Sequence, residues 1–210
     1  MLVPTMTLQQ IRKALVADYE RELKGKLKMI EISSKGKWMR NGRKDFAETI
    51  LHTTQSQNNW RITIEYKKGV LTTIPYLISY DGTGITASHF MMGFGPERLV
   101  HFNTHFFKRF KERGKIDIEK PQDLVKYFFR NNSLMLPCYF PMADGTNQLF
   151  CPLAGGIGLG RYYEEGNIHE FKTFVDNSLL REDQKQQIQE IFTETINELM
   201  AEMRRRLKRD

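Results

Sequence analysis

Apolar and polar positions along this chain alternate between two rhythms, one helical and one extended. Leu8, Ile11, Leu15, Val16, Tyr19 and Leu23 recur at helical spacing. Thr7 and Gln10 form a capping-box signature ahead of them, and Gly25 sits near the expected end of this first helix. From Trp60 the rhythm becomes period two: Trp60, Ile62, Ile64 and Tyr66 alternate with Arg61, Thr63 and Glu65, as in a half-buried strand. Lys68-Gly69 turns the chain into a further strand through VLTTI, where Pro75 limits the ladder. Asp81-Gly82-Thr83-Gly84 joins YLISY to ITASHFMM as a hairpin. Asn41-Gly42, between WMR and RKDFAETIL, reads as an earlier hairpin turn, although FAETIL also fits a helix. Residues 36–93 therefore read as an antiparallel meander.

Gly93, Gly95 and Pro96 mark a break. Thr104 and Gly114 then bound a short helix as cap and stop, with Phe106, Phe107 and Phe110 as its apolar side. Pro121 opens a second short helix through Leu124, Val125, Phe128 and Phe129, ending at Asn131-Asn132. Strands follow around Leu136 to Phe140, Gln148 to Arg161 (broken by Pro152) and Ile168 to Val175, with Glu164 to Asn167 turning the last pair. A long amphipathic helix closes the chain from about Arg181. Its apolar face is Ile188, Ile191, Phe192, Ile196, Leu199, Met200 and Met203. Helices grouped apart from strands define an α+β class. We expect a single domain over 1–210. Residues 1–94 supply a helix and an antiparallel meander. Residues 95–210 supply two short central helices, a sheet and the C-terminal helix.

Composition narrows this picture only slightly. The chain has 210 residues, 40% hydrophobic and 27% charged, enough for a real core. It lacks an apolar run long enough to span a membrane, and its N-terminus lacks the pattern of a secretory signal. Cys138 and Cys151 lack metal-ligand spacing, which with these absences gives a cytoplasmic expectation. The formal net charge of +7 admits a polyanionic partner such as RNA or DNA without requiring one. Cations cluster at 24–44, at Lys108, Arg109, Lys111 and Arg113, and at the basic C-terminus.

Candidate chemistry concentrates on the helix after Thr104. His105, Arg109 and Arg113 follow at four-residue spacing and share one flank. At a helix N-terminus the positive dipole end disfavours imidazolium, which leaves a neutral base. Arginines on that flank supply forked donors for phosphate oxygens. The competing reading is a set of surface salt bridges through Glu112, with His105 a packing residue.

The segment T-H-F-F-K-R-F-K-E-R-G, Thr104 to Gly114, resembles the H-x-x-x-R-x-x-x-R-G helix of the barnase–EndoU–colicin–RelE (BECR) group of metal-independent ribonucleases. Many of these are toxins or phage-borne proteins. The resemblance extends over roughly 98–180, with K-T-F-V, Lys172 to Val175, in the late strand position. It implies RNA cleavage by His105, Arg109 and Arg113, with Thr173 as the contribution from the sheet. It implies no cofactor, and it leaves room for a protein inhibitor. The long segment 133–160 and the final helix depart from the group's expected core. A second functional reading stands beside it: a non-catalytic nucleic-acid- or protein-binding module of phage or mobile-element origin.

Three other stretches carry weaker signals. His101 and His105 have a zinc-like spacing, which loses its meaning if a cap at Thr104 puts His101 before the helix. The run Gly155 to Gly160 fits neither nucleotide-loop pattern and reads as a strand allowing close approach by a neighbour, the helix more than a ligand. Lys35, Lys37, Trp38, Arg40, Arg43 and Lys44 put an aromatic among cations, as would suit single-stranded nucleic acid, and Lys108 extends this basic set. The C-terminal helix can pack on the core or form a dimer seam, and core packing suits its first half.

Overall fold

The computed structural model describes residues 1–90, 98–133, 135–142 and 147–207. The break around Gly93, Gly95 and Pro96 and the last of the terminal basic run lie outside these. The expected capping box opens α1, Leu8–Asp18: Thr7 Oγ1 accepts from the Gln10 amide, and Gln10 Oε1 accepts from that of Thr7. Gly25 does not end this helix. A π-helical turn, Tyr19–Leu23, carries the chain directly into α2, Lys24–Arg40. The wider turn adds a residue to the apolar seam. Ile11, Leu15 and Asp18 are thus followed by Leu23, Leu27 and Ile30 on the same buried side.

The expected hairpin at Asn41-Gly42 is instead the end of α2. The Arg43 amide donates back to the Trp38 carbonyl at 3.0 Å, and Gly42 and Arg43 both take the left-handed backbone of a helix C-terminus. WMR is therefore helical and FAETIL is a strand.

The sheet contains β1 (Phe46–Thr53), β2 (Asn59–Lys67), β3 (Val70–Asp81), β4 (Gly84–Phe90), β5 (Leu99–Phe102), β6 (Cys138–Pro141), β7 (Asn147–Leu153), β8 (Gly156–Tyr163) and β9 (Ile168–Asp176). Their spatial order is β1-β2-β3-β4-β5-β9-β8-β7-β6. Two antiparallel meanders are joined by one parallel pair, β5 with β9. Gln148 to Arg161, expected as one interrupted strand, is a β7–β8 hairpin turning at Ala154-Gly155. β3 runs through Pro75, which pairs with Ile62 of β2 but precedes the β3–β4 ladder beginning at Tyr76.

The two sheet faces bury different helices. α3 (Thr104–Arg113) and α4 (Pro121–Asn131) cover the face bearing Tyr76, Val100, Phe102, Phe171 and Phe174. The opposite face presents Trp60, Ile62, Leu77, Phe90, Leu99 and Ile168 to α1 and α2. α5 (Glu182–Leu207) packs Ile188, Ile191 and Phe192 near Cys138, Phe150 and Ile157, so its first half serves the chain's own core. No helix among the described residues is long and apolar enough to cross a membrane.

Candidate functional site

α3 is held by its aromatic side. Phe106, Phe107 and Phe110 are buried, and Phe106 lies 5.4 Å from Phe128 between ring centroids. Its cap is Asn103, not Thr104: the Asn103 Oδ1 accepts from the Phe106 amide at 2.9 Å. The Thr104 hydroxyl instead donates toward Asp81, 3.1 Å away, tying α3 to the β3–β4 turn. Burial opposes ionisation of Asp81. Hydrogen bonds from Thr83, Gly84 and Thr104 outweigh it and hold the carboxyl below its ordinary pKa.

With that side anchored, His105 is exposed in the first turn, one helical turn from Arg109. Arg109 Nε points at His105 Nε2 across 3.4 Å, and its Nη1 pairs with Glu112 at 2.9 Å. Arg113 is committed elsewhere. Its Nη1 donates to the Phe174 carbonyl at 2.6 Å, fastening the end of α3 to β9. Lys108 and Lys111 line an open depression of about 240 Å³ with Gly84, Thr104 and Phe107.

Thr173 does not join these residues by any hydrogen bond among the described residues. A β-bulge explains its setting. Leu159 pairs with Thr173 and Gly160 with Phe171, so Lys172 is the extra residue. The bulge lets Phe171 and Phe174 both face α3 and sends Thr173 to the other face beside Leu159. Glycines make room for this: a Cβ at Gly158 would lie 3.3 Å from Phe106, and one at Gly160 would run into the Glu170 backbone. The Gly155–Gly160 run thus admits both α3 and the β9 backbone.

That other face carries a polar row of which spacing along the chain singled out only His101, and that as a zinc-like partner of His105. Ser88, His101, Glu170 and Arg161 occupy one cross-strand row over β4, β5, β9 and β8. Ser88 Oγ lies 2.8 Å from His101 Nδ1, and both residues are buried. Glu170 accepts from the Tyr163 hydroxyl at 2.8 Å and pairs with Lys172 at 3.1 Å. Burial works against the Lys172 cation, but Glu170 and Tyr163 win and raise its pKa. Desolvation lowers His101 to about 4, against the pull of Glu170 and Asp81. Only strand register brings these residues together, and His101 is buried on the sheet face opposite α3, whereas His105 is exposed. Among the described residues, no group of three or more His, Cys, Asp or Glu is placed to hold a metal.

On the α3 face, His169 Nε2 lies 2.7 Å from the Tyr139 hydroxyl, and His89 Nδ1 lies 2.9 Å from the Phe90 carbonyl. Both imidazoles are buried, and desolvation takes each to about 4.

The basic segment 35–44 is the end of α2, not a hairpin. Trp38 stacks on Tyr66 at 4.7 Å, Lys37 pairs with Glu48 at 2.5 Å, and Arg43 lies 5.8 Å from the Trp38 ring. Trp38 is therefore occupied by the chain's own packing, whereas Lys35, Arg40, Arg43 and Lys44 remain exposed. Comparison with protein-family models, curated proteins and solved structures finds no match to this chain.

Proposed function

We propose that this chain binds RNA along the outer edge of α3 and cleaves its phosphodiester backbone without a metal ion. The observation that carries the reading is the exposed His105 imidazole, with the Arg109 guanidinium 3.4 Å from its Nε2. Arg109 Nε donates into the Nε2 lone pair, so in this proposal the guanidinium swings onto the phosphate before Nε2 acts as general base. His105 takes the proton of the ribose 2′-hydroxyl. The 2′-oxygen then attacks phosphorus, and the 5′-oxygen leaves with a proton from solvent or from the imidazolium. The products are a 2′,3′-cyclic phosphate and a 5′-hydroxyl. Arg109 stabilises the charge developing on the phosphate. Its ion pair with Glu112 is exposed, so a phosphate can replace the carboxylate at little cost.

The order α3, α4, β6, β7, β8, β9, two helices and then an antiparallel meander, supports the same reading, because the BECR resemblance runs over this stretch. In this proposal Arg113 positions α3 on β9 and Thr173 has no chemical role. Incubating the protein with varied RNAs in EDTA should give 2′,3′-cyclic ends, and His105→Ala should abolish them. Equal cleavage by wild type and His105→Ala, or none by either, rejects it.

A binding module without catalysis is the second reading. It is favoured by the engagement of Arg113 with Phe174, which leaves one histidine and one arginine on the edge. It predicts salt-sensitive RNA retention with intact RNA, reduced by charge reversal at Lys108 and Arg109.

A further inference from the structure

α2 has two apolar sides, and its own fold uses only one. Leu23, Leu27, Ile30 and Ser34 face the sheet. Diametrically opposite, Met29, Ile32 and Met39 are 65%, 61% and 56% exposed. With Gly25 and Gly36 they fall at 25, 29, 32, 36 and 39, alternating four- and three-residue steps. That is the a/d spacing of a coiled-coil seam; Gly25 has open space where a Cβ would stand, and the Arg40 guanidinium lies against Gly36. In this register the e and g positions flanking the seam are Lys26, Lys28, Ser33, Lys35 and Arg40. The four cations are exposed and form no ion pair among the described residues. Glu31 is the only acid in α2.

We propose that this outward seam of α2 docks an acidic amphipathic helix of a partner protein, apolar at its a and d positions and carrying Glu or Asp at e and g. The e and g charges of a coiled coil select the partner, and here four of the five flanking positions ask for carboxylates. A second copy of this chain fits poorly. Its α2 would set cation against cation, and the outer face of α5 is polar through Gln186, Gln189, Glu190, Thr193 and Glu194. A lipid surface fits less well too, because interfacial helices bury a broad apolar face, whereas this stripe is one side chain wide. The proposal is independent of the chemistry on α3.

The test uses the full chain and synthetic helical peptides of about four heptads. One has Leu at a and d with Glu at e and g. A second exchanges those Glu for Lys, and a third exchanges the Leu for Ser. Fluorescence anisotropy should show the Leu/Glu peptide binding at least ~10-fold more tightly than either control and weakening with salt. Ile32→Glu, or Lys28→Glu with Lys35→Glu, should abolish binding with an unchanged melting temperature, because these side chains are exposed. The proposal is overturned by no binding, by equal binding of the Ser-seam peptide, or by binding that survives Ile32→Glu. Co-sedimentation with phosphatidylserine vesicles that is lost in Ile32→Glu, without peptide binding, would overturn it in favour of a lipid surface.

Discussion

Arg113 Nη1 donates to the Phe174 carbonyl oxygen across 2.6 Å, joining the last turn of α3 to β9. The bond is half-buried and charge-assisted, and it sits where α3 lies beside β9. Removing it should cost about 1–3 kcal/mol. Arg113→Ala should therefore lower the urea midpoint, and Arg113→Lys should recover part of the loss. On the proposed RNA-binding reading, RNA affinity, measured where both variants remain folded, should stay within about twofold of wild type, because this guanidinium already has its partner. A large affinity loss at unchanged stability would return Arg113 to phosphate binding.

His89, His101 and His169 make the fold acid-labile. Each is buried, and desolvation first of all lowers each from 6.5 to about 4. The unfolded chain then binds more protons than the native one between those values, so stability rises with pH across that window. The contribution is complete above about 6.5, falls as pH drops, and is gone near 4. Its upper bound is roughly 3 kcal/mol per imidazole. Urea midpoints at pH 7, 5.5 and 4.5 should fall steeply. His89→Leu should remove about one-third of that slope: its Nε2 has no hydrogen-bond partner among the described residues, its ring lies against Phe102 and Phe129, and the lost Nδ1 contact with the Phe90 carbonyl lowers stability at every pH above the titration. A slope identical to wild type would show that His89 does not titrate as its burial requires.

Several of these features were legible in the amino-acid sequence because they are local. The period-two run through Trp60, Ile62, Ile64 and Tyr66, the Thr7–Gln10 box and Pro121 at the start of α4 all appear where their own residues put them. α2 was hidden for a physical reason: the π turn shifts its apolar seam by one residue, and Asn-Gly serves a helix end as readily as a hairpin. The cap lay one residue earlier than expected, since Asn103 and Thr104 are both competent acceptors and only tertiary structure gives Thr104 to Asp81. Thr173 failed as a partner of His105 because simple alternation breaks at the Lys172 bulge. The Ser88–His101–Glu170 row depends on β5 meeting β9 in parallel, a pairing no nearby pattern announces.

Gly158 offers a test of how tightly α3 is seated. A Cβ there would lie 3.1 Å from Phe171, 3.2 Å from Leu153 and 3.3 Å from Phe106, so Gly158→Ala asks two buried rings and a leucine methyl to yield slightly. Gly158→Val adds two methyl groups to the same space and should cost roughly 1–3 kcal/mol or more. Thermal melts should rank wild type first, Ala second and Val last. If Val melts like wild type, α3 is not in close contact with β8.

Asp18 should be the most sensitive polar position in the N-terminal half. It is 1% exposed, and its Oδ2 accepts from Asn58 Nδ2 at 2.7 Å, Trp60 Nε1 at 2.9 Å and the Thr54 hydroxyl at 3.2 Å. One carboxylate oxygen thus fastens α1 to the β1–β2 turn and to the buried indole. Asp18→Ala would leave the Asn58 and Trp60 N–H donors unpaired in the core, while the Thr54 hydroxyl keeps the Asn58 carbonyl at 3.5 Å, at a cost of about 3–5 kcal/mol. Asp18→Asn keeps the shape and one acceptor oxygen, so it should lose less. Trp60→Phe in the Asp18→Ala background removes one of the orphaned donors. The double variant should therefore be less unstable than the sum of the two single changes. Measured additivity in this double-mutant cycle, read from urea midpoints, would mean that the indole N–H does not depend on Asp18.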